Sequence, residues 1–147
     1  MAKVNANWSE AIYETEDGMT TLAAALRTYL VNQNIAVVGT KVYKDLAPPS
    51  TAYPYITYAD SLADRSALTG NGKIMARNNM VQVDLWQKRP QESSDITDAL
   101  IESLEDATLT GSDKTIFRCR LVDVRRIVEF DDDKVHHALT LNIYHKV

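Results

Sequence analysis

The chain has 147 residues, 45% of them hydrophobic and 24% charged, with a formal net charge of −4. That length fits one domain able to bury roughly 70% of its unfolded surface, and the mildly acidic balance argues against a general nucleic-acid binder, whose signature is a basic domain. Cys119 is the only cysteine, which excludes an internal disulfide framework and a four-cysteine zinc site; residues 1–8 lack the apolar core of a signal peptide, no apolar run approaches the ~18 residues of a membrane span, and the expectation is folding in a reducing cytoplasm.

Residues 1–18 read as an N-terminal arm and residues 19–147 as a single α+β domain. The arm turns acidic toward its end, at Glu10, Glu14, Glu16 and Asp17, with Trp8, Ile12 and Tyr13 at near-helical spacing. Two readings of it stand: a short helix on its own domain, or an arm that packs on a neighbouring subunit, since termini are loose unless tied down. After Gly18, a cap at Thr20 or Thr21 opens a helix whose stripe is Leu22, Ala25, Leu26, Tyr29 and Leu30, ending near Gln33-Asn34. Ile35 to Tyr43 reads as a first strand, interrupted by Gly39. Asp45, Pro48, Pro49 and Ser50 then mark a connection. Tyr55 to Ala59 is aromatic and β-branched and reads as a second strand, with Pro54 tolerated at its start.

Ser61 to Asn78 has no clear period and contains the turn signal Gly70-Asn71-Gly72. A structureless loop this long is unusual in a small domain, so the preferred reading is a protruding hairpin whose arms extend the second and third strands. Arg65, Lys73 and Arg77 make it locally basic. The third strand is plain: Val81, Val83 and Leu85 alternate with Gln82, Asp84 and Trp86, a period of two. Ser93 or Ser94 then caps a second helix, Asp95 sits in its first turn near the positive dipole end, and Ile96, Ala99, Leu100, Leu104 and Ala107 form its stripe. Thr115 to Phe130 is a long strand whose pattern slips near Val122, a bulge signal. Asp131-Asp132-Asp133-Lys134 turns the chain into a last strand, Val135 to Lys146.

The order helix, strand, strand, strand, helix, strand, strand predicts a mostly antiparallel sheet of four to five strands with both helices on one face. Val81, Val83, Leu85, Leu139, Leu141 and Ile143 are the expected core under Leu26, Leu30, Leu100 and Leu104.

No catalytic constellation emerges. His136 and His137 are neighbours on a strand and face opposite ways, while His137 and His145 lie about 26 Å apart at ~3.3 Å per residue, too far to share a metal. The Asp131–Asp133 run lacks the spacing of a calcium loop. Gly70-x-Gly72-Lys73 is too short for a phosphate-binding loop, and no nucleophile elbow occurs. Cys119 reads as a core filler, and Glu102 and Glu105 as solvated carboxylates. No enzyme activity, cofactor or metal is expected. Arg118, Arg120, Arg125 and Arg126 form the densest basic run; it reads as a solvated sheet face or as subunit salt bridges, with nucleic-acid contact the alternative, although no aromatic interleaving supports a single-strand platform.

Taken together, Val42-Tyr43-Lys44-Asp45-Leu46-Ala47-Pro48, then Tyr53-Pro54-Tyr55-Ile56-Thr57-Tyr58, the long polar loop, Val81-Gln82-Val83-Asp84-Leu85-Trp86, a helix, a long strand, an acidic turn and a final alternating strand resemble the tail-completion, or tail-to-head joining, proteins of long-tailed bacteriophages, which are terminator-like in fold. The resemblance covers about residues 20–147 and rests on the order and spacing of loose motifs. It implies a virion protein at the head-proximal end of the tail, assembled in the host cytoplasm. It further implies a homo-oligomeric ring, a hexamer, that caps the tube, stops its polymerisation and meets a head-side connector, with DNA passing through without sequence-specific binding and no membrane involved. The interface residues expected on this basis are Arg65, Leu68, Asn71, Lys73, Met75 and Arg77 on the hairpin, Arg118 and Arg120 on the long strand, and Trp8 and Tyr13 on the arm. Two other readings remain: a head-closure or connector adaptor of the phage neck, and a small ligand-binding or regulatory α+β domain.

Overall fold

Leu22, Leu26 and Leu30 recur every fourth residue, and the helix they define, α1 (Gly18–Asn32), buries all three. The structure, a computed structural model, describes residues 18–68, 74–130 and 133–146. Three strands follow α1: β1 (Val42–Lys44), β2 (Tyr55–Leu68) and β3 (Ile74–Lys88). A short 3-10 turn at Arg89–Gln91 leads to α2 (Ser94–Leu104), and β4 (Thr108–Thr110), β5 (Ile116–Glu129) and β6 (Lys134–Lys146) complete the chain. They form one sheet in the order β1-β2-β3-β6-β5-β4, antiparallel except where β1 runs parallel to β2.

Both helices cover one face of that sheet. Leu26, Leu30, Leu100 and Leu104 close over Val81, Val83, Leu85, Leu139, Leu141 and Ile143, all buried in one cluster with Phe117 and Cys119. Each such side chain stabilises the fold by about 1.5–3 kcal/mol relative to exposure. The Tyr29 hydroxyl ties the helices together by donating to the Ser103 carbonyl at 2.6 Å, and Arg27 Nε donates to the Val42 carbonyl at 3.1 Å, holding α1 against β1.

The expected hairpin forms. β2 and β3 stay paired from Tyr55 opposite Trp86 to Leu68 opposite Ile74, with an irregularity between Ala59 and Ala63. Its tip, Gly70-Asn71-Gly72, lies outside the described residues. The bulge expected near Val122 is present as a register shift between Leu121 and Asp123.

Several expectations are corrected. The sheet has six strands rather than four to five, because two three-residue strands, β1 and β4, edge it. The stretch Ile35–Lys41 is not strand: Asn34, Val37 and Gly39 adopt positive φ of 51°, 69° and 58°, and the Val38 and Gly39 N–H groups both donate back to the Ile35 carbonyl. Left-handed residues interrupt extended backbone, so of the expected first strand only Val42 and Tyr43 remain, in the three-residue β1. Thr20 and Thr21 lie inside α1 rather than at its N-cap, because the helix already includes Gly18. In α2, Ala99 is exposed and Thr97 is the residue turned inward. Ser93 is the N-cap, yet its hydroxyl makes no capping bond.

Candidate assembly surface

The sheet face opposite the helices carries no covering element among the described residues, and register places its side chains in cross-strand rows. One row runs Tyr55, Trp86, His136, Ile127; the next runs Thr57, Asp84, Ala138, Arg125. Rings meet along the first row and beside it: Tyr53 lies tilted against Tyr55 at 5.2 Å, Tyr55 stacks on Trp86 at 6.2 Å, and Trp86 lies tilted against His136 at 4.1 Å between centroids. Lys88 and Lys134 lie over the Tyr53 and Trp86 rings, each at 5.2 Å, a favourable cation–π placement. Trp86 Nε1 donates to Thr57 Oγ1 at 3.0 Å. Burial pushes the Tyr55 hydroxyl up to about 12, with Tyr53 adding to the shift. Burial also raises Asp84 above the usual carboxylate range, although Gln82 Nε2 donates to both its oxygens. The aromatic row was illegible in the sequence because its members come from separate strands; the only signal was the odd-residue alternation of Tyr53 with Tyr55 and the even-residue placement of Trp86.

β5 lines the outer part of this face. Arg118 and Arg120 alternate with the buried Phe117 and Cys119 and are both exposed. Arg118 pairs loosely with Asp106 at 3.5 Å, and Arg125 Nε donates to Asp123 at 2.9 Å; surface pairs of this kind add little stability. Arg126 points the other way and grips Glu92 with two bonds of 2.9 and 2.7 Å, which hold Glu92 below the usual carboxylate range. The four arginines therefore divide: Arg118, Arg120 and Arg125 belong to the open face, and Arg126 is structural. Ile116, Val122, Ile127 and Phe130 are apolar and exposed along the same strand and its turn, Phe130 to 85%.

Of the residues singled out from the sequence, Arg65 and Leu68 lie on β2, Met75 and Arg77 on β3, and Arg118 and Arg120 on β5. Arg65 and Arg118 occupy one cross-strand row, through Asn78 and Tyr144, which Thr108 of β4 continues beyond Arg118. Asn71, Lys73, Trp8 and Tyr13 lie outside the described residues.

Beside the sheet, a cleft of about 570 Å³ opens between the 36–37 loop, Tyr53-Pro54 and the start of α2. Gln87, only 2% exposed, forms its floor. Its amide accepts from the Ser93 N–H at 2.9 Å and donates to Thr97 Oγ1 at 3.2 Å, doing for α2 the work a capping hydroxyl does elsewhere. Val37, a β-branched residue at positive φ, stands 70% exposed at the lip. No group of three His, Cys, Asp or Glu among the described residues is placed to hold a metal ion, and no described helix is long and apolar enough to cross a membrane.

Comparison with known proteins agrees with this architecture. Two solved structures share the fold: a chain of the virion of a native gene transfer agent particle, with a TM-score of 0.59 at 18% identity over 85% of this chain and 97% of that one, and a second protein with a TM-score of 0.56 at 13% identity over 87% and 94%. No curated protein matches the chain in sequence. The family model for tail completion protein gp17 matches residues 20–146, which takes in both helices but for the first two residues of α1, all six strands and the open face. The chain belongs to the tail completion protein gp17 family, a family of structural proteins of the phage tail.

Proposed function

We propose that this protein closes the head-proximal end of the tail tube as a homo-oligomeric ring, a hexamer, which ends tube polymerisation and offers its other side to the head-side connector. The observation that carries this reading is the family match over residues 20–146. The architecture supports it. One face of the sheet is sealed by two helices, which keeps the subunit rigid, while the other face and the exposed β5 arginines remain available to partners. A ring requires a heterologous interface, one patch meeting a different patch on the next copy, and this subunit has distinct hairpin, open-face and edge surfaces. DNA passes through the ring without sequence-specific contact, as the net charge of −4 favours.

Electron microscopy of lysates from a phage lacking this gene tests the reading. The expected result is DNA-filled heads beside unjoined tails of uncontrolled length. Finished tails beside emptied heads would move the protein to the head side of the neck, as a connector adaptor. Normal particles would overturn the virion reading altogether.

A further inference from the structure

The two ends of the sheet are only partly edged. β1 pairs with Ile56–Tyr58 of β2 and no further, and β4 pairs with Ile116–Arg118 of β5, extended by one rung where the Cys119 N–H donates to the Ala107 carbonyl at 2.8 Å. Among the described residues, no strand covers the outer edge of β2 from Ala59 to Leu68 or that of β5 from Arg120 to Glu129. Each stretch spans about ten residues, with regular pairing to its inner neighbour from Ala63 to Ala67 in β2 and from Asp123 to Glu129 in β5. Natural edges are usually short, bulged or covered, because a row of unpaired N–H and C=O groups is a template for another chain. β5 is regular again below its bulge, in register with β6 from Asp123 to Glu129.

We infer that these two edges are the two halves of one subunit junction: the outer edge of β2 in one copy pairs with the outer edge of β5 in the next, so that the sheet continues from subunit to subunit. Three observations point there. First, direction. β2, β3, β6 and β5 alternate in sense, so β2 and β5 run antiparallel, and a copy placed head-to-tail brings them together in the pairing the sheet already uses. Second, stagger. The free stretch of β5 lies level with Met80–Lys88 of β3, and that of β2 level with Ile74–Gln82. Sliding the neighbour by six residues, roughly 20 Å at ~3.4 Å per residue, superposes them. It carries the neighbour's β1 past the end of β5 and leaves Leu68 of its β2 short of β4. A closed arrangement of strands requires a fixed stagger of this kind. Third, chemistry. Val122, Ile127 and Phe130, exposed along the free part of β5, would be covered.

This inference rests on the ring reading, and the test separates the two. Cysteine pairs, Asp123→Cys with Arg65→Cys and Arg125→Cys with Arg65→Cys, are placed in a Cys119→Ala background of the full chain. Each variant is first required to melt as its parent does. Rings are detected by mass photometry, free or on purified tail tubes, and then oxidised. The expected result is a ladder of disulfide-linked oligomers from at least one double variant and none from either single variant. Intact rings that give no ladder from either pair would overturn the edge junction and leave the ring standing. Absence of any ring under all conditions would overturn both. A crosslink from Arg125→Cys to a cysteine at Trp8, with none to β2, would assign the β5 edge to the N-terminal arm and overturn the junction.

Discussion

Single side chains set measurable properties of the fold. Cys119 sits in the core on β5, and burial pushes its thiol up to about 12. A thiol that stays protonated is a poor nucleophile, so the native chain is expected to resist iodoacetamide at pH 8 and to react in denaturant; rapid labelling of the native state would contradict its placement. His137 is held below the ordinary imidazole value of 6.5 by burial, against the pull of Glu92. The folded state therefore prefers the neutral ring. The stability this contributes is complete above about pH 6.5 and is lost as pH falls from there toward the lower folded value. Glu92, held down by Arg126, keeps its own contribution through that window and loses it only below its ordinary 4.5. Asp84, raised by burial, acts in the opposite sense as pH falls through the carboxylate range. The melting temperature is expected to drop between pH 7 and 5.5, and His137→Phe to flatten that drop; an unchanged slope in the variant would remove His137 as its source.

At the scale of elements, the joint between β3 and α2 depends on one amide. The sequence offers two serines as caps, but the bond that satisfies the Ser93 N–H comes from Gln87, six residues earlier on the strand. A strand residue at the edge of the alternating run is thus the anchor of the following helix. Gln87→Ala leaves a part-buried N–H without its partner, and chemical denaturation is expected to show a loss of about 1–3 kcal/mol, whereas Ser93→Ala, which removes no capping bond, is expected to stay within ±0.5 kcal/mol. Comparable losses in the two variants would mean that the serine hydroxyl caps the helix after all. Deep in the sheet, Leu141→Ala empties a fully buried site flanked by Val81 and Leu121 and is expected to cost about 2–5 kcal/mol.

For the whole molecule, the helix-covered face supplies stability, and the opposite face, edges and hairpin are the surfaces proposed for assembly. Arg118 and Arg120 are exposed, and the loose pair of Arg118 with Asp106 contributes little to folding. Reversing both charges to Glu is expected to leave thermal melting of the isolated chain within a few degrees while reducing ring formation; loss of cooperative melting would show that they hold the fold itself. Deleting Leu68–Lys73 shortens the hairpin without touching the core strands' shared register from Val81 onward. The shortened chain is expected to fold and to fail to enter virions, and unchanged incorporation would remove the hairpin tip from the interface.

The sequence by itself determined what repeats along one segment. The two-residue period of Val81–Leu85, the four-residue period of Leu22–Leu30 and the slip at Val122 each record which way successive side chains face, and all three were legible because periodicity is a local consequence of backbone geometry. The hairpin was legible for the same reason: a turn signal between two runs that pair with one another. Tertiary structure alone decided what distant segments do together. It made β1 and β4 strands of three residues each, too short to carry a period. It turned Ile35–Gly39 into a left-handed loop, drew Gln87 to Ser93, brought the rings of Tyr53, Tyr55, Trp86 and His136 together from three parts of the chain, and, among the described residues, left most of the outer edges of β2 and β5 without a strand beside them. None of these has a local pattern, because each depends on which strand lies beside which, and that choice belongs to the folded chain as a whole.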